Sequence, residues 1–362
     1  MRITIQKSEL KNAVSGFTAV TKGARAKKHL PILTHIRFDA GNGTITGTAT
    51  NLAETLVFTF DGVPERDGAG LVSLAELKSA VRGPGRDTLT VDMTDDTVTL
   101  VNRVAGCELT STVDSPLIDE WPPTPARILT QPAPGWPSAF RRLAPFASVD
   151  KARYILNSVF IEQSKAGFSM VATDGRRLSR CPCGALPLPH SIIVPTTPAL
   201  TGSTFNGADC EIGAGTDSEG RPLFAVTCGP WHYVVLAVVG YYPNYRQVIP
   251  DDKNSVTCRI SFEPCDIAQL QSLIGAMPGG DEGAIGLKGD LDGRVTLTVD
   301  TTSAVVPGAS CRGVAFCGCF NRWYLAEALH AGFVTWEWID GFSPLKSLTT
   351  EGAVHVLMPR CR

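Results

Sequence analysis

The amino-acid sequence contains a weak threefold repeat, in which three features occur in the same order about 125 residues apart. The first feature is an amphipathic helix near the start of each third, at residues 8–14, 138–144 and 265–270. Leu10, Phe140 and Ile267 occupy corresponding positions, and another apolar residue follows each of them one helical turn later. Apolar residues at positions i and i+3 lie on one face of a helix, so each helix is predicted to pack on a core.

The other two repeated features are strands that end in defined ways. A strand leads into a turn at residues 49–52 and 172–175, and residues 298–300 hold the third position. An Asn or Asp side chain suits such a turn because it accepts hydrogen bonds from its own backbone. A strand then leads into a second helix at residues 72–77, 194–200 and 320–325. Ser73, Pro195 and Asn321 stand where a helix cap or first turn belongs.

A repeat of this length predicts three tandem α+β domains of the same topology, because the period is within the usual size of a domain. We predict domains at residues 1–122, 123–252 and 253–362, with linkers at the Pro-rich residues 121–125 and the polar residues 250–254. Three similar domains suit an arc, and two arcs can close a ring through a symmetric contact. The repeat alone is also compatible with duplicated domains that have another use.

The charge balance limits the ways in which this chain can use nucleic acid. Lys and Arg number 33 against 35 Asp and Glu, for a formal net charge of -2. A protein that grips DNA by neutralising many phosphates usually carries a basic excess. DNA is therefore a partner only if the basic residues concentrate on one surface, and net charge alone does not decide between that arrangement and a different partner.

The cysteines and the N-terminus predict a cytoplasmic protein with reduced thiols. The first residues show no apolar signal segment, and the Cys count of 11 is odd, which disfavours a complete disulfide framework. Cys181, Cys183, Cys317 and Cys319 lack the spacing of zinc knuckles, so we expect buried hydrophobic roles and no metal or other cofactor. No second carboxylate or base accompanies Asp174 at a spacing that would indicate a catalytic pair. We therefore expect Asp174 to stabilise a turn.

Six segments, in order along the chain, resemble the bacterial DNA polymerase III beta subunit (beta sliding clamp) family. They lie at residues 153–159, 171–178, 191–195, 242–250, 320–325 and 356–360, and residues 30–33 extend the resemblance into the first third. Ser158 stands where the family usually has Gly, and the first helix of the last third contains no Lys or Arg. The chain therefore resembles a divergent member.

The resemblance implies a DNA clamp fold in which two three-domain subunits close a ring as a homodimer. Double-stranded DNA passes through the ring without sequence preference, and a DNA polymerase catalytic subunit and a clamp loader bind it through short peptide motifs. Such a protein confers processivity and has no catalytic activity of its own. A ring is held on DNA topologically, so it needs little direct affinity and tolerates a near-neutral net charge. The alternative from the residues alone is an enzyme of unknown class, such as a Cys-dependent hydrolase, on a duplicated α+β scaffold.

The resemblance also implies a hydrophobic cleft between the middle and last domains that takes partner peptides. The matching positions are Leu156, Thr173, Gly175, Arg176, Arg177, Leu178, Pro243, Gln247, Val248, Asn321, Tyr324, Val356, Met358 and Pro359. The apolar side chains of this set are expected to form a floor, and Arg176, Arg177 and Asn321 to offer polar contacts at the rim. Gln247 stands where the family often has a basic residue.

The ring that the resemblance implies also predicts which basic residues face DNA and which residues form the contact between subunits. The expected DNA-facing residues are Lys27, Lys28, Lys78, Arg82, Arg141, Arg142 and Arg153. The dimer interface is expected where an edge strand of the first domain meets a helix of the last domain, through Cys107, Leu109, Ile274 and Met277. Strand addition across subunits would supply backbone hydrogen bonds, with apolar side chains closing the contact.

Overall fold

The structure, a computed structural model, describes residues 1–24, 30–82, 88–94, 96–104, 107–206, 209–250, 256–263, 267–279, 283–340 and 343–360. The order strand, helix, four strands, helix, three strands occurs in the first third and again in the middle third. The last third repeats it with one extra strand before its second helix. The α+β fold class with three copies of one topology, predicted from the sequence repeat, is confirmed. The helices are α1 (Lys7–Ala24), α2 (Leu74–Arg82), α3 (Trp136–Leu143), α4 (Pro198–Thr201), α5 (Ile267–Ala276) and α6 (Arg322–His330).

The chain divides into two compact units. The first unit comprises Met1–Arg141 and Pro187–Val239, and the second comprises Arg142–Leu186 and Gly240–Arg362. The middle third of the chain contributes to both units, so the division at residues 122 and 252 stays a prediction supported by the repeated element order.

The first unit contains two antiparallel sheets. Its strands are β1 (Arg2–Gln6), β2 (His35–Gly41), β3 (Thr44–Thr50), β4 (Glu54–Phe60), β5 (Gly68–Ser73), β6 (Thr88–Met93), β7 (Thr97–Val104), β8 (Cys107–Asp114), β9 (Gln131–Pro132), β13 (Ile192–Pro195), β14 (Cys210–Thr216), β15 (Pro222–Cys228) and β16 (Trp231–Leu236). One sheet has the order β1-β6-β7-β8 and the other β5-β2-β3-β4-β16-β15-β14-β9. In β6 the side chains alternate between buried and half-buried, as expected for a strand with one face on a core. Strands β6 and β7 pair as antiparallel neighbours, with Leu89 opposite Asn102 and Met93 opposite Val98.

Aromatic side chains form the core of the first unit where α1 covers the larger sheet. Trp231 is the strand partner of Phe58, and their rings make an edge contact with centroids 4.5 Å apart. Phe17 of α1 meets the same tryptophan at 6.2 Å. Gly16 permits this approach, because a Cβ at that position would lie only 2.5 Å from the Trp231 ring.

The second unit also contains two antiparallel sheets. Its strands are β10 (Ser158–Ser164), β11 (Gly167–Thr173), β12 (Arg177–Gly184), β17 (Cys258–Phe262), β18 (Ala284–Gly289), β19 (Val295–Val299), β20 (Thr302–Val305), β21 (Ala309–Gly313), β22 (Phe316–Asn321), β23 (Thr335–Trp338), β24 (Leu345–Leu348) and β25 (Val354–Leu357). Eight of these strands follow one another in a nine-stranded sheet in the order β10-β11-β12-β25-β24-β23-β17-β21, and the smaller sheet runs β20-β19-β18-β22. Strand β12 pairs with β25 so that Leu178 faces Val356, which joins two segments that are distant in the sequence.

One cysteine pair departs from the expectation of reduced thiols. Cys210 and Cys228 are direct partners on β14 and β15, with Cα atoms 4.4 Å apart, and they form a disulfide. Directly opposed cysteines in an antiparallel pair have the Cα spacing that a disulfide requires. The prediction of reduced thiols is therefore wrong at this pair. Among the described helices, none is long and apolar enough to cross a membrane.

Candidate functional site

The turn between β11 and β12 is built by its own side chains. The Asp174 carboxylate accepts hydrogen bonds from the backbone N–H groups of Arg176 (2.9 Å) and Arg177 (3.0 Å). The Thr173 hydroxyl donates to the Arg177 carbonyl at 2.6 Å and accepts from the Gly175 N–H at 3.1 Å. Gly175 has a φ of 86°, a conformation that favours glycine. The expected turn-stabilising role of Asp174 is confirmed, and the turn holds residues 173–178 in one conformation.

Arg177 lies beneath this turn, where the sequence analysis had placed it at the rim. Its guanidinium forms ion pairs with Asp174 (3.0 Å) and with Glu327 of α6. It also lies 4.0 Å from the ring centroid of Tyr324 and donates to the Pro145 carbonyl at 2.7 Å. Two carboxylates, a carbonyl and an aromatic face compensate for the burial of this charge. The expected rim contact is therefore wrong for Arg177, which instead joins the turn to α6.

A cavity of about 200 Å³ opens beside this turn, entirely within the second unit. Its lining residues are Leu156, Thr173, Gly175, Arg176, Arg177, Leu178, Pro243, Asn244, Tyr245, Val248, Val356 and Met358. Leu178, Val356 and Tyr245 are buried at its floor, whereas Val248 and Met358 are partly exposed. An apolar floor with a few polar groups around it is the usual form of a ligand pocket.

Ten of the fourteen residues assigned to the peptide cleft line this cavity, and four do not. Asn321 caps α6, accepting hydrogen bonds from the N–H groups of Trp323 (2.9 Å) and Tyr324 (3.3 Å). Tyr324 stacks on the buried Arg177, and burial, then the nearby Asp174 carboxylate, raise the pKa of its hydroxyl. Gln247 and Pro359 lie outside the lining, Gln247 being exposed.

Asn244 and Tyr245 line the cavity but were not selected from the sequence. The Tyr245 hydroxyl donates to the Glu162 carboxylate at 2.5 Å, and Arg246 donates to the same oxygen at 2.6 Å. Burial raises the pKa of Tyr245 to about 12, with a further contribution from Glu162. The signal available in the sequence was position, because both residues lie between Pro243 and Val248 in a segment already singled out.

His355 lies behind the cavity, on the face of β25 opposite to Val356. It is fully buried among the rings of Phe146, Phe333 and Trp336, and its Nδ1 is 2.6 Å from the Ser179 hydroxyl. Burial lowers the pKa of His355 to about 3, with a smaller contribution from the charge of Arg177. The imidazole is therefore neutral at neutral pH and acts as a packed core residue.

We expect acid to destabilise the second unit through His355. A lowered folded-state pKa makes the contribution of this histidine fully present above its unfolded pKa of about 6.5, and lost as pH falls from there toward about 3. The loss at pH 5 is on the order of 1–2 kcal/mol. Chemical denaturation at pH 7 and pH 5 measures it. His355→Gln, which does not titrate, should flatten this pH dependence, and an equally steep dependence in that variant would contradict the assignment.

The seven residues predicted to face DNA do not share one environment. Lys27 and Lys28 lie outside the described residues. Lys78 and Arg82 of α2 line a cavity of about 440 Å³ together with Thr21, Thr34, Ser73, Leu74, Ala75 and Ser79. Arg141 is half-buried and donates to the Phe205 carbonyl at 2.9 Å. Arg142 and Arg153 are exposed, and Arg153 donates to the Asp174 carbonyl at 3.3 Å, in the turn between β11 and β12.

The residues assigned to the dimer interface fall into two classes. Cys107 and Leu109 are exposed on β8, which forms an edge of its sheet. Ile274 and Met277, in contrast, are buried in the core of the second unit. Arg322 fixes this end of α5 by donating to the carbonyls of Met277 and Pro278, both at 2.7 Å. Side chains that already pack inside their own subunit cannot also close a surface contact, so this part of the assignment is wrong.

No group of three or more His, Cys, Asp or Glu side chains suited to a metal ion occurs among the residues that the structure describes. Cys181 is buried and Cys183 and Cys319 are half-buried, whereas Cys317 is exposed, so the expected burial is wrong for Cys317. Cys258 and Cys311 approach each other to 3.1 Å between sulfur atoms inside the second unit.

Proteins that are similar to this chain in sequence and in structure include beta sliding clamps. No protein-family model matches the sequence. The beta sliding clamp of Pseudomonas putida is 26% identical over 270 residues, which are 69% of this chain and 68% of the relative. The crystal structure of the DNA polymerase III subunit beta from Pseudomonas aeruginosa superposes with a TM-score of 0.82 at 20% identity, covering 100% of both chains. The DNA polymerase sliding clamp from Bacillus subtilis gives 0.83 at 15% identity, covering 100% of this chain and 99% of that one. These structures share the fold of this chain over its length.

Proposed function

We propose that this chain, which is similar to bacterial beta sliding clamps, is a divergent member of that family, encircles double-stranded DNA and tethers a replicative DNA polymerase to it. It then confers processivity as a polymerase subunit and has no catalytic activity of its own. The observation that carries the proposal is the cavity beside the β11–β12 turn. It lies where the sequence resemblance placed the partner site, and ten of the fourteen assigned residues line it.

The same cavity is the proposed attachment point for partner peptides. Its buried floor of Leu178, Val356 and Tyr245 offers apolar contact, and the Met358 thioether at its mouth adapts to differently shaped side chains. Arg176 supplies a charged group at the opening. A polymerase catalytic subunit and a clamp loader that carry short apolar motifs would compete for one such pocket on each subunit.

Ring closure requires a second copy of the chain, and two exposed sheet edges are available for it. Strand β8 leaves one edge of its sheet open, with the exposed Leu109 on it. Strand β20 is an edge of the smaller sheet in the second unit and carries the exposed Val305. Unpaired strand edges are templates for strand addition. We propose that β8 of one subunit meets β20 of the other in a homodimer of three-domain subunits.

The tethering proposal is tested by DNA topology. We expect the protein to remain on nicked circular DNA after loading and to leave once the DNA is cut, because a closed ring is lost only over an end. Gel filtration of the DNA before and after linearisation measures retention. Equal loss from circular and linear DNA would contradict encirclement, and so would a chain that sediments as a monomer at micromolar concentration. The proposed site of action is the cytoplasm, where bacterial DNA is replicated.

Lys78→Ala combined with Arg82→Ala is expected to weaken the contact with duplex DNA without regard to sequence. The two side chains lie together on α2, and phosphate contacts release counterions. The slope of log affinity against log salt should flatten by about two units at most. The exposed pair Lys288 and Arg294, replaced in the same way, provides a control of equal charge. An unchanged slope in the α2 variant would remove these residues from the DNA-facing set.

A further inference from the structure

Cys181 lies on β12 next to a cation. Its sulfur is 3.6 Å from a guanidinium nitrogen of Arg142, and the same guanidinium lies 3.9 Å from the Glu351 carboxylate. The Cys181 residue is 7% exposed, and the Arg142 side chain that contacts it is itself largely exposed. The Cys181 sulfur therefore lies close beneath the surface, behind an exposed arginine side chain.

Cys183 follows on the same strand, at an irregularity in the pairing. On β11, Phe168 pairs with Gly184 and Ser169 pairs with Pro182, so Cys183 has no partner in the ladder and forms a β-bulge. Its sulfur lies 3.3 Å from the carbonyl oxygen of Cys181, so the two residues are in contact. A bulged residue is free of ladder hydrogen bonds and its strand is locally bent. The backbone here can therefore bring two cysteines separated by one residue close together, which a regular strand cannot do.

The electrostatic surroundings give the two thiols different roles. A hydrogen bond from Cys183, together with the charge of Arg142, lowers the pKa of Cys181 to about 6 against the opposing effect of burial. The same hydrogen bond and burial raise the pKa of Cys183. Cys181 is thus the sulfur that carries the negative charge, and Cys183 keeps its proton. Thiolates are the nucleophilic form of cysteine.

We propose that Cys181 and Cys183 form a peroxide-reactive dithiol, in which Cys181 is the attacking sulfur and Cys183 the resolving one. The Cys181 thiolate attacks the OH oxygen of a hydroperoxide, the O–O bond breaks, and the other oxygen leaves as hydroxide or alkoxide, which takes a proton from solvent to become water or an alcohol. The Cys181 sulfur then carries the hydroxyl group of a sulfenic acid. The Cys183 sulfur displaces that hydroxyl, which leaves as water with the Cys183 proton. In total, two electrons pass from the two sulfurs to the peroxide and one disulfide forms.

The other cysteine pairs of the chain explain why this site would react selectively. Cys210 and Cys228 are already bridged. Cys258 and Cys311 have sulfur atoms only 3.1 Å apart, but both are buried. Burial, followed by the hydrogen bond with Cys311, raises the pKa of Cys258 to about 12. The buried pair brings two sulfur atoms together without a neighbouring cation among the described residues and with a raised pKa at Cys258, so it serves as an internal control for the effect of charge.

The test exposes the intact protein to dilute hydrogen peroxide and maps its peptides by mass spectrometry without reduction. The peptide that contains Cys181 and Cys183 should lose two hydrogen masses before the Cys258 and Cys311 peptides change. In Cys183→Ser the reaction should stop at the sulfenic acid, which dimedone traps on Cys181, and in Cys181→Ser neither product should form. The wild-type rate should level off above about pH 7, whereas an ordinary thiol with a pKa of about 8.5 gains rate beyond that point.

Arg142→Gln separates the effect of the cation from that of simple exposure. It should lower the oxidation rate at pH 6.5 by about threefold or more and move the pH profile upward, because the thiolate loses its cation. Arg312→Gln removes an exposed arginine on β21, at the far edge of the same sheet, and should leave the rate unchanged. An Arg142→Gln profile equal to that of the wild type would overturn the proposal. Oxidation of Cys258 as fast as Cys181, or no dimedone adduct in Cys183→Ser, would also overturn it.

Discussion

Met358→Asp is expected to abolish the binding of a partner peptide and to leave the fold intact. Met358 is 40% exposed, whereas Val356 and Leu178 on the floor beside it are 1% and 2% exposed. A bound apolar peptide would therefore force the new carboxylate out of water against an apolar surface. For a wild-type affinity in the micromolar range, about -8 kcal/mol, the loss is expected to be about 100-fold or more. Titration calorimetry with a peptide that contains Gln and ends in Leu-Phe measures it.

Leu348→Asp is the matched control for this variant. Leu348 on β24 is 38% exposed, nearly the same as Met358, and it does not line the cavity. The two variants therefore differ in place and not in charge or exposure. Deletion of residues 356–362 is a poorer test, because it removes the Val356–Leu178 pairing of β25 with β12 along with the pocket wall. Undiminished peptide binding by Met358→Asp would show that the pocket lies elsewhere.

The sequence was informative about the pocket where the responsible residues are neighbours in the chain. Thr173, Gly175 and Leu178 belong to one turn, whose conformation follows from the Asx hydrogen bonds of Asp174 and the positive φ of Gly175. Local turn chemistry of this kind can be recognised without knowing the rest of the fold. That β25 lies against this turn came from the resemblance of the C-terminal segment, because a strand pairing between residues 178 and 356 has no local signal.

Burial was harder to predict than position. Arg177 was expected to offer a polar contact at the rim, yet it is buried, and the carboxylates of Asp174 and Glu327 balance its charge inside the unit. Glu327 could not be selected from the sequence, because it lies 150 residues from Arg177. Its helix face is brought against Arg177 only by tertiary packing. Ile274 and Met277 fail for a related reason, because an apolar stripe on a helix does not reveal whether it faces its own core or another subunit.

The cysteines also show what could not be predicted from the sequence. An odd count of 11 disfavours a complete disulfide framework and favours reduced thiols. Whether two cysteines meet depends on strand register, and the register of β14 and β15 places Cys210 directly opposite Cys228. The sequence repeat could predict that strands occur in this part of the chain, but it could not predict their register to a single residue.

Arg177→Met is expected to be among the most destabilising substitutions in the second unit. It leaves Asp174, which is mostly buried, without its cation, and removes the group that joins the turn to Glu327 and Tyr324 of α6. Removing one partner of a buried ion pair costs about 3–5 kcal/mol, since the remaining charge stays desolvated. Calorimetric melting should show the transition of the second unit several degrees lower. Peptide affinity should fall as well, because Thr173, Gly175 and Arg176 are positioned by the same turn.

The cause of this loss of stability is tested by also neutralising the two carboxylates that pair with Arg177. Arg177→Met combined with Asp174→Asn and Glu327→Gln leaves no unpaired carboxylate, so most of the lost stability should return. The asparagine side-chain oxygen still accepts from the N–H groups of residues 176 and 177, which keeps the turn hydrogen bonds available. Glu351→Gln, which neutralises an exposed carboxylate of the same unit, should change the melting temperature little. If the triple variant melts as low as Arg177→Met, the arginine stabilises the unit through packing on Tyr324 and Phe146, and the ion pairs contribute little.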